Sequence, residues 1–332
     1  MTSSAKTNFL VVSSSPHIKA AGSVSRIMWD VNLALIPAAI AAVYFFGLPA
    51  LRTIVITVIS CVVFEAALQK LFGKRITISD GSAVVTGVLL AYNLPPTAPW
   101  WMAIVGGFVA MFLGKHLYGG LGNNPFNPAL VSRVVLLVAW PSFMTTFPAP
   151  LGGKGGADAI STATPLNLLK TDMDMGLHLR NSASVPLSDL FVGNVAGSLG
   201  EVSALALLLG AIYLLMRKVI SWHIPVSYMG TVVIFSGIYW IIDPTAYASP
   251  AFHLFAGGLM LGALFMATDM VTTPMTGRGM LIFGVGCGLL TMIIRFYGGY
   301  PEGVSFSILF MNALTPLIDK FTKPKVLGEV KK

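Results

Sequence analysis

The sequence predicts an all-α integral membrane protein of about ten transmembrane helices. It reads as two inverted five-helix halves, with the third and eighth helices discontinuous. Three observations predict this. Of 332 residues, 55% are hydrophobic and 10% charged, with mean hydropathy +0.79, whereas soluble domains carry about 25% charged residues. Apolar runs recur along the chain at lengths near the roughly 20 residues that cross a bilayer. One long polar segment, 146–200, leaves five runs before it and five after it. An odd number of spans per half starts the second half on the opposite side, as in the inverted repeats common among transporters.

The runs fall near 29–48, 52–70, 80–95, 99–116 and 128–145, then 201–216, 222–242, 252–268, 278–295 and 303–319. Gly47–Pro49 closes the first, and Gly298–Pro301 separates the last two, because Gly and Pro punctuate helices. Trp100, Trp101, Trp140, Trp222 and Trp240 fall at or near span ends, where aromatic belts form. Span three reads GVLLAYNLPP (87–96) and span eight reads into GALFMATDMVTTP (262–274). Both run from Gly through apolar residues to small polar ones and then Pro. Broken backbone at membrane depth survives only where it is buried or lines a cavity, so a site is expected where the halves meet.

The charges set the direction. With the N-terminus in the cytoplasm, inside segments hold 16 of the 21 Lys and Arg residues, Arg133 and Lys115 among them, and only five, including Arg52, Lys170 and Arg295, lie outside. The positive-inside rule therefore places both termini in the cytoplasm of a cell membrane and the 146–200 segment outside. The expected divisions are a 1–28 N-terminal segment, a 29–145 half, the 146–200 loop, a 201–319 half and a basic 320–332 tail. The net charge of +8 belongs to these topology determinants and gives no reason to expect nucleic acid. The N-terminus reads poorly as a signal peptide, since Asn8–Val12 is a short apolar stretch followed by Ser and Pro. Cys61 and Cys287 each sit in an apolar run and read as packing residues. Two thiols cannot build a four-cysteine metal or iron–sulfur site, and no His spacing suggests a metal ligand.

Acids near spans are the first functional candidates, because they are costly there. Asp80 opens span three in SDGS. It reads as a helix N-cap or as an ion ligand. Asp269 follows span eight near Thr268, Thr272 and Thr273, and either snorkels to the surface or lies on an ion path. Asn93 falls at the break of span three. Asp80, Asn93 and Asp269 are the ion-path candidates. Glu65 could pair with Lys70 or with a neighbouring subunit, and Asp243 looks interfacial. GKHLYGGLGNNPFNPAL (114–130) joins spans four and five with four glycines, three asparagines and two prolines. It is either a re-entrant turn or a pocket for a flat, polar-edged ligand such as a flavin or quinone, around Asn124, Phe126 and Asn127. Neither a Gly-x-Gly-x-x-Gly after a strand nor a Walker loop is present.

The 146–200 segment contains DAISTATPL (158–166). The plain reading is a turn rich in hydroxyls. Asp158-x-x-Ser161-x-Ala163-Thr164, however, resembles the acceptor motif of secreted flavin transferases, which esterify FMN phosphate onto the last threonine. Thr164 is then a nucleophilic hydroxyl in a flexible segment reachable from outside. SDGSAVVTG, the GKHLYGGLGNNPFNPA run and FMATDMVTTP, with the span count, resemble the D-subunit family of Rnf electron-transport complexes over essentially the whole chain. The chain is also similar to the B-subunit family of sodium-pumping NADH:quinone oxidoreductases. That family carries a longer N-terminal region, whereas here span one starts near Trp29.

The resemblance implies a urea-transporter-like fold and covalent FMN on Thr164, with Asp158, Ser161 and Ala163 as the attachment frame. It also implies a second, non-covalent flavin, riboflavin. The implied complex moves electrons between ferredoxin and NAD and couples this to Na⁺ or H⁺ translocation. Its other subunits, A, B, C, E and G, include a second covalent-FMN carrier and iron–sulfur proteins, and a flavin transferase matures it. No catalytic residue or metal site is expected in this chain itself. A passive small-solute channel of the same fold and a scaffold whose loop docks a partner are the alternatives, and neither gives Thr164 a role.

Overall fold

Helix occupies each of the ten predicted spans. A computed structural model describes residues 24–150, 161–176, 179, 185–201 and 203–323, with only the backbone of Ser161 and Thr162. The first half comprises α1 (Val24–Phe46), α2 (Leu48–Leu71), α3 (Ser82–Tyr92), α4 (Trp100–Phe112), α5 (Pro128–Ala139) and the short α6 (Pro141–Met144). The intervening segment carries a two-residue antiparallel ladder, β1 (Phe147–Pro148) with β2 (Ser161–Thr162), then α7 (Pro165–Met175) and α8 (Leu187–Val192). The second half comprises α9 (Ala204–Met216), α10 (His223–Ile242), α11 (Pro250–Phe255), α12 (Leu259–Leu261), α13 (Gly277–Tyr297) and α14 (Val304–Thr322). Among the described residues, six helices are long and apolar enough to cross a membrane: α1, α2, the stretch Trp100–Tyr118, α10, α13 and α14. α3, α5 and α9 are shorter apolar helices.

The starts of these helices follow from local chemistry. Asn127, Thr164 and Ser249 each precede a proline, and each side-chain oxygen accepts from an amide of the first turn. A polar N-cap with Pro at the first helical position satisfies or removes donors that would otherwise be orphaned. Two of the predicted spans are interrupted. α3 has 11 residues and stops at Asn93, before Leu94–Pro95–Pro96. Span eight breaks between α11 and α12 at Ala256–Gly258, where Gly257 takes φ +71°, a conformation suited to glycine. Its continuation, Gly262–Met266, winds as a π-helix. This break lies before the polar and proline residues of 268–274 that mark it in the sequence.

Both interruptions are satisfied by other segments, as membrane depth requires. The Tyr92 carbonyl accepts from Gly200 N at 2.8 Å and the Leu94 carbonyl from Leu199 N at 3.1 Å. Arg295 on α13 donates to the carbonyls of His253 at 2.6 Å and Ala256 at 3.0 Å, capping α11.

The core runs through the contact between the halves, where Leu35, Leu90 and Tyr92 pack with Leu207, Leu214 and Phe265. The Tyr92 hydroxyl donates to the Leu35 carbonyl at 2.6 Å. α1 and α9 approach so closely that a Cβ on Gly210 would lie 2.0 Å from the Ala34 carbonyl oxygen. Small residues permit such helix contacts in lipid. Gly210→Val is therefore expected to cost about 1–3 kcal/mol by forcing the helices apart, read as a lower melting temperature in detergent. Gly230, which has nothing within 4 Å of a built Cβ, is the control: Gly230→Ala should stabilise α10 by up to about 1 kcal/mol. Cys61 and Cys287 are free and buried, as the packing reading expects.

Candidate functional site

Two features lie at the contact between the halves, and a third lies on the segment that joins them. The first is a cavity at the face holding the start of α1, here the N-terminal face. It offers about 800 Å³ of empty space, including its mouth, between α1, α3, the 115–128 connection, the end of α9 and residues 265–271. Its walls are mainly apolar, with Val85, Leu89, Leu214, Val219 and Phe265. A few polar side chains enter it: Ser82, Thr86, Lys115, Asn124, Asn127, Thr268 and Asp269. That balance suits a flat organic ligand with polar edges.

The polar residues are held firmly. Lys115, 2% exposed, donates to Glu65 Oε1 at 2.6 Å and to Ser82 Oγ at 2.8 Å. Glu65 therefore pairs with Lys115, not with Lys70 or a neighbouring subunit, and Gln69 Nε2 supports the same oxygen at 3.2 Å. Asn127 uses its oxygen to cap α5 and its amide to reach the Met266 carbonyl of the other half at 3.3 Å. Asn124 donates to the Phe126 carbonyl at 3.2 Å, and its buried Oδ1 has no hydrogen-bond partner. Such an orphan is costly unless a ligand or water meets it. Asn124 and Asn127 thus line the cavity, and Phe126 is not among its walls. Asp269 accepts from Val271 N at 3.4 Å and from the Thr272 hydroxyl at 3.4 Å. Desolvation raises its carboxyl above the ordinary aspartate range, and those hydrogen bonds partly oppose the rise. Asp80 lies outside the cavity walls. Its Oδ1 accepts from Ser82 N at 2.8 Å and Ser82 Oγ at 2.7 Å, a local cap at the entry to α3.

The second feature is a buried charge cluster toward the opposite face, here called the loop face. Arg133 Nη1 donates to Asn93 Oδ1 at 2.8 Å, and its Nη2 pairs with Glu302 and lies 3.7 Å from Glu201 Oε1. Asn93 also reaches the Leu89 carbonyl at 2.6 Å and Met266 Sδ at 3.7 Å. Met266 links the two features, since Asn127 donates to its carbonyl. Of the three ion-path candidates, Asn93 joins this cluster, Asp269 lines the cavity, and Asp80 does neither. Three topology charges need correction: Arg133 is 8%, Lys115 2% and Arg295 3% exposed. They lie within the protein, held by carboxylates and carbonyls, not at an aqueous surface. The positive-inside bias survives without them.

The sequence reading misses Arg133, Glu201, Glu302 and Lys115 as site residues. Their one sequence signal is a charge in or at the edge of an apolar run, which by itself marks a functional candidate.

The third feature is Thr164. It is 6% exposed and caps α7, its Oγ1 accepting from Asn167 N at 3.2 Å. The accessible hydroxyl expected from sequence is therefore a buried one. Leu166 and Leu169 anchor α7 against Leu190, Ala248, Phe252 and Ala256, and Lys170 donates to the Phe296 carbonyl at 3.2 Å. Ala163 is exposed; Asp158 and the side chains of Ser161 and Thr162 lie outside the described residues. At the start of the 11-residue α7 Pro165 has no amide hydrogen and the Asn167 and Leu168 amides already bond Thr164, so the helix dipole and the Leu166 amide are what favour an anion on the capping oxygen. A phosphoester at Thr164 fits that end of the helix.

A family model described as the NQR2, RnfD, RnfE family matches residues 11–328. The chain belongs to this family. Curated relatives align over nearly all of both chains. The D subunit of the Na⁺-translocating ferredoxin:NAD⁺ oxidoreductase complex of Acetobacterium woodii is 50% identical over 97% of this chain and 96% of its own. Its counterpart in the proton-translocating ferredoxin:NAD⁺ oxidoreductase complex of Clostridium ljungdahlii is 48% identical over 97% of each. The counterpart in the ion-translocating oxidoreductase complex of Stutzerimonas stutzeri is 44% identical over 92% of each. Family membership and six membrane-length helices make the chain a multi-pass membrane protein.

Proposed function

We propose that this chain is the D subunit of a ferredoxin:NAD⁺ oxidoreductase complex and carries FMN esterified to Thr164. The observation that carries the reading is family membership across residues 11–328 together with the motif Asp158-x-x-Ser161-x-Ala163-Thr164, whose last residue, Thr164, caps α7. The chain works in the cell membrane with the other subunits of its complex, A, B, C, E and G, a second FMN carrier and iron–sulfur proteins among them. The loop face lies outside, where a flavin transferase reaches the segment. Because Thr164 is buried, modification precedes the docking of α7 or requires it to open.

A flavin supplies one- and two-electron chemistry, and the protein positions it and tunes it. On the loop face, the Leu166 amide and the dipole of α7 would hold the phosphate. On the N-terminal face, Asn124 Oδ1, the Asn127 amide and Lys115 would hold the polar edge of a second, non-covalent flavin, riboflavin, between Leu89 and Phe265. In this reading the fold is a pair of inverted five-helix halves, with the non-covalent flavin at their contact. Asn127, Met266, Asn93 and Arg133 link that cavity to the buried charge cluster. Ion coupling, to Na⁺ or H⁺, uses this same contact. A charge moved against 100 mV costs about 2.3 kcal/mol, so a small potential drop per electron can drive it.

The test is a denaturing gel of the protein co-expressed with a flavin transferase. The wild-type band should fluoresce and the Thr164→Val band should be dark, with the adduct mass on the 150–180 peptide. Losing the cap costs α7 about 1 kcal/mol, so the variant should still assemble. A dark wild-type band removes the covalent-flavin reading.

A further inference from the structure

The cluster at Arg133 holds two carboxylates side by side. Two carboxylates, Glu201 and Glu302, converge on one guanidinium nitrogen: Arg133 Nη2 pairs with Glu302 and stands 3.7 Å from Glu201 Oε1. The second guanidinium, Arg295, faces both carboxylates electrostatically but directs its Nη1 and Nη2 to the His253 and Ala256 carbonyls. Glu201 is 7% exposed, and its Oε1 makes no hydrogen bond. The Ser198 hydroxyl, 2% exposed, faces the same carboxylate and also lacks a hydrogen-bond partner. A buried carboxylate with an open oxygen and a second carboxylate beside it is costly as a bare anion. One further positive charge at Glu201 relieves both problems.

We propose that Glu201 is an exchange site for one monovalent cation, H⁺ or Na⁺, set where the interruptions of α3 and α11–α12 meet. Both breaks reach it. The turn ending at Glu201 is hydrogen-bonded through Leu199 and Gly200 to the end of α3. A Cβ on Gly258 would lie 3.5 Å from Glu201 Oε1, and one on Gly257 2.4 Å from Leu166 Cδ1, two residues beyond Thr164. The site thus lies under the α7 segment. The charged and titratable groups facing Glu201 are Arg133 on α5, Glu302 before α14 and Arg295 on α13, with His253 on α11 next to Arg295. In the proton case the neutral acid releases H⁺ and becomes a carboxylate facing Arg133. In the sodium case the carboxylate and Ser198 Oγ hold Na⁺, and on its release H⁺ from water takes the vacated carboxylate oxygen, so the two cations compete for one site. Relatives at 50% and 48% identity are named for Na⁺ and for protons respectively, so overall similarity does not choose between them.

This inference deepens the ion-coupling reading, and its test is independent of the flavin gel. Infrared difference spectra of the purified complex are recorded while pH and NaCl are stepped, for wild type, Glu201→Gln and Glu201→Asp. For proton exchange, a carboxylic-acid carbonyl band titrates with pH, ignores NaCl, disappears in Glu201→Gln and shifts in Glu201→Asp. For sodium exchange, that band appears only when Na⁺ is withdrawn and is suppressed when Na⁺ returns. A wild-type spectrum with no such band, or a band indifferent to both pH and NaCl, overturns the proposal. So does one unchanged in both variants. If Glu201→Gln does not assemble, the Glu201→Asp shift decides alone: present, the site stands; absent, it falls. A dark flavin gel with an exchanging Glu201 band removes the covalent-flavin reading and leaves the cation site. A bright gel without the band does the reverse.

Discussion

Arg133→Leu should be the most damaging single substitution in this protein. It would leave Glu302 and Glu201 as two carboxylates without their shared guanidinium, and Asn93 Oδ1 without its donor. Removing one partner of a buried ion pair costs about 3–5 kcal/mol, because the remaining charge is stranded. The expected result is a large loss of detergent-extractable, assembled protein. Arg133→Lys should retain part of the stability: an ammonium can meet one carboxylate but cannot span Asn93 and Glu302 with a fork. Arg133→Leu combined with Glu302→Gln removes a charge of each sign and should recover at least half of the lost stability. Thermal melts of the single and double variants, combined as a cycle, measure the coupling. Additive losses would show that Arg133 and Glu302 do not act as a pair.

That cluster also marks the limit of what the sequence makes legible. Composition and run length are local properties, so the apolar helices are readable one by one. The interruption of span three is readable too, because Asn93 and two prolines interrupt an apolar run. Asn127 and Thr164 are legible as polar residues immediately before prolines, which is cap chemistry. The pairing of Arg133 with Glu302 joins residues 169 positions apart, and no local pattern encodes it. The same reasoning explains Lys115. A lone basic residue at a span end looks the same in sequence whether it faces water or a buried Glu65, and the positive-inside rule assigns it to water. The burial of Thr164 follows from the packing of α7 on α11 through Leu166 and Leu169, a long-range contact that a hydroxyl-rich motif does not announce. Within the cavity, alternation of role along the chain separates Asn124 and Asn127 from Phe126: the two amides line the wall, while Phe126 contributes its carbonyl as an acceptor for Asn124.

Lys115→Met should fail in two separable ways. Glu65 Oε1 would lose its 2.6 Å partner in a site where both side chains are almost fully buried, a cost of about 3–5 kcal/mol. Adding Glu65→Gln removes the stranded anion, and the remaining amide can still meet Gln69, so assembly should return. The second effect should persist in that double variant. An ammonium carries three donors; Lys115 spends one on Glu65 and one on Ser82, and its side chain borders the cavity. The third donor is available to a ligand there. A hydrogen bond to a charged donor contributes about 1.5–3 kcal/mol, so its loss should weaken riboflavin retention at least about tenfold. The measurement is the amount of non-covalent flavin released on denaturing the assembled complex, compared with the covalent flavin left on the gel. If the double variant assembles and keeps a full complement of released flavin, Lys115 serves only to neutralise Glu65. If it assembles with the cavity depleted and the Thr164 band intact, Lys115 holds the ligand directly, and the buried pair with Glu65 is what keeps that ammonium in place and aimed.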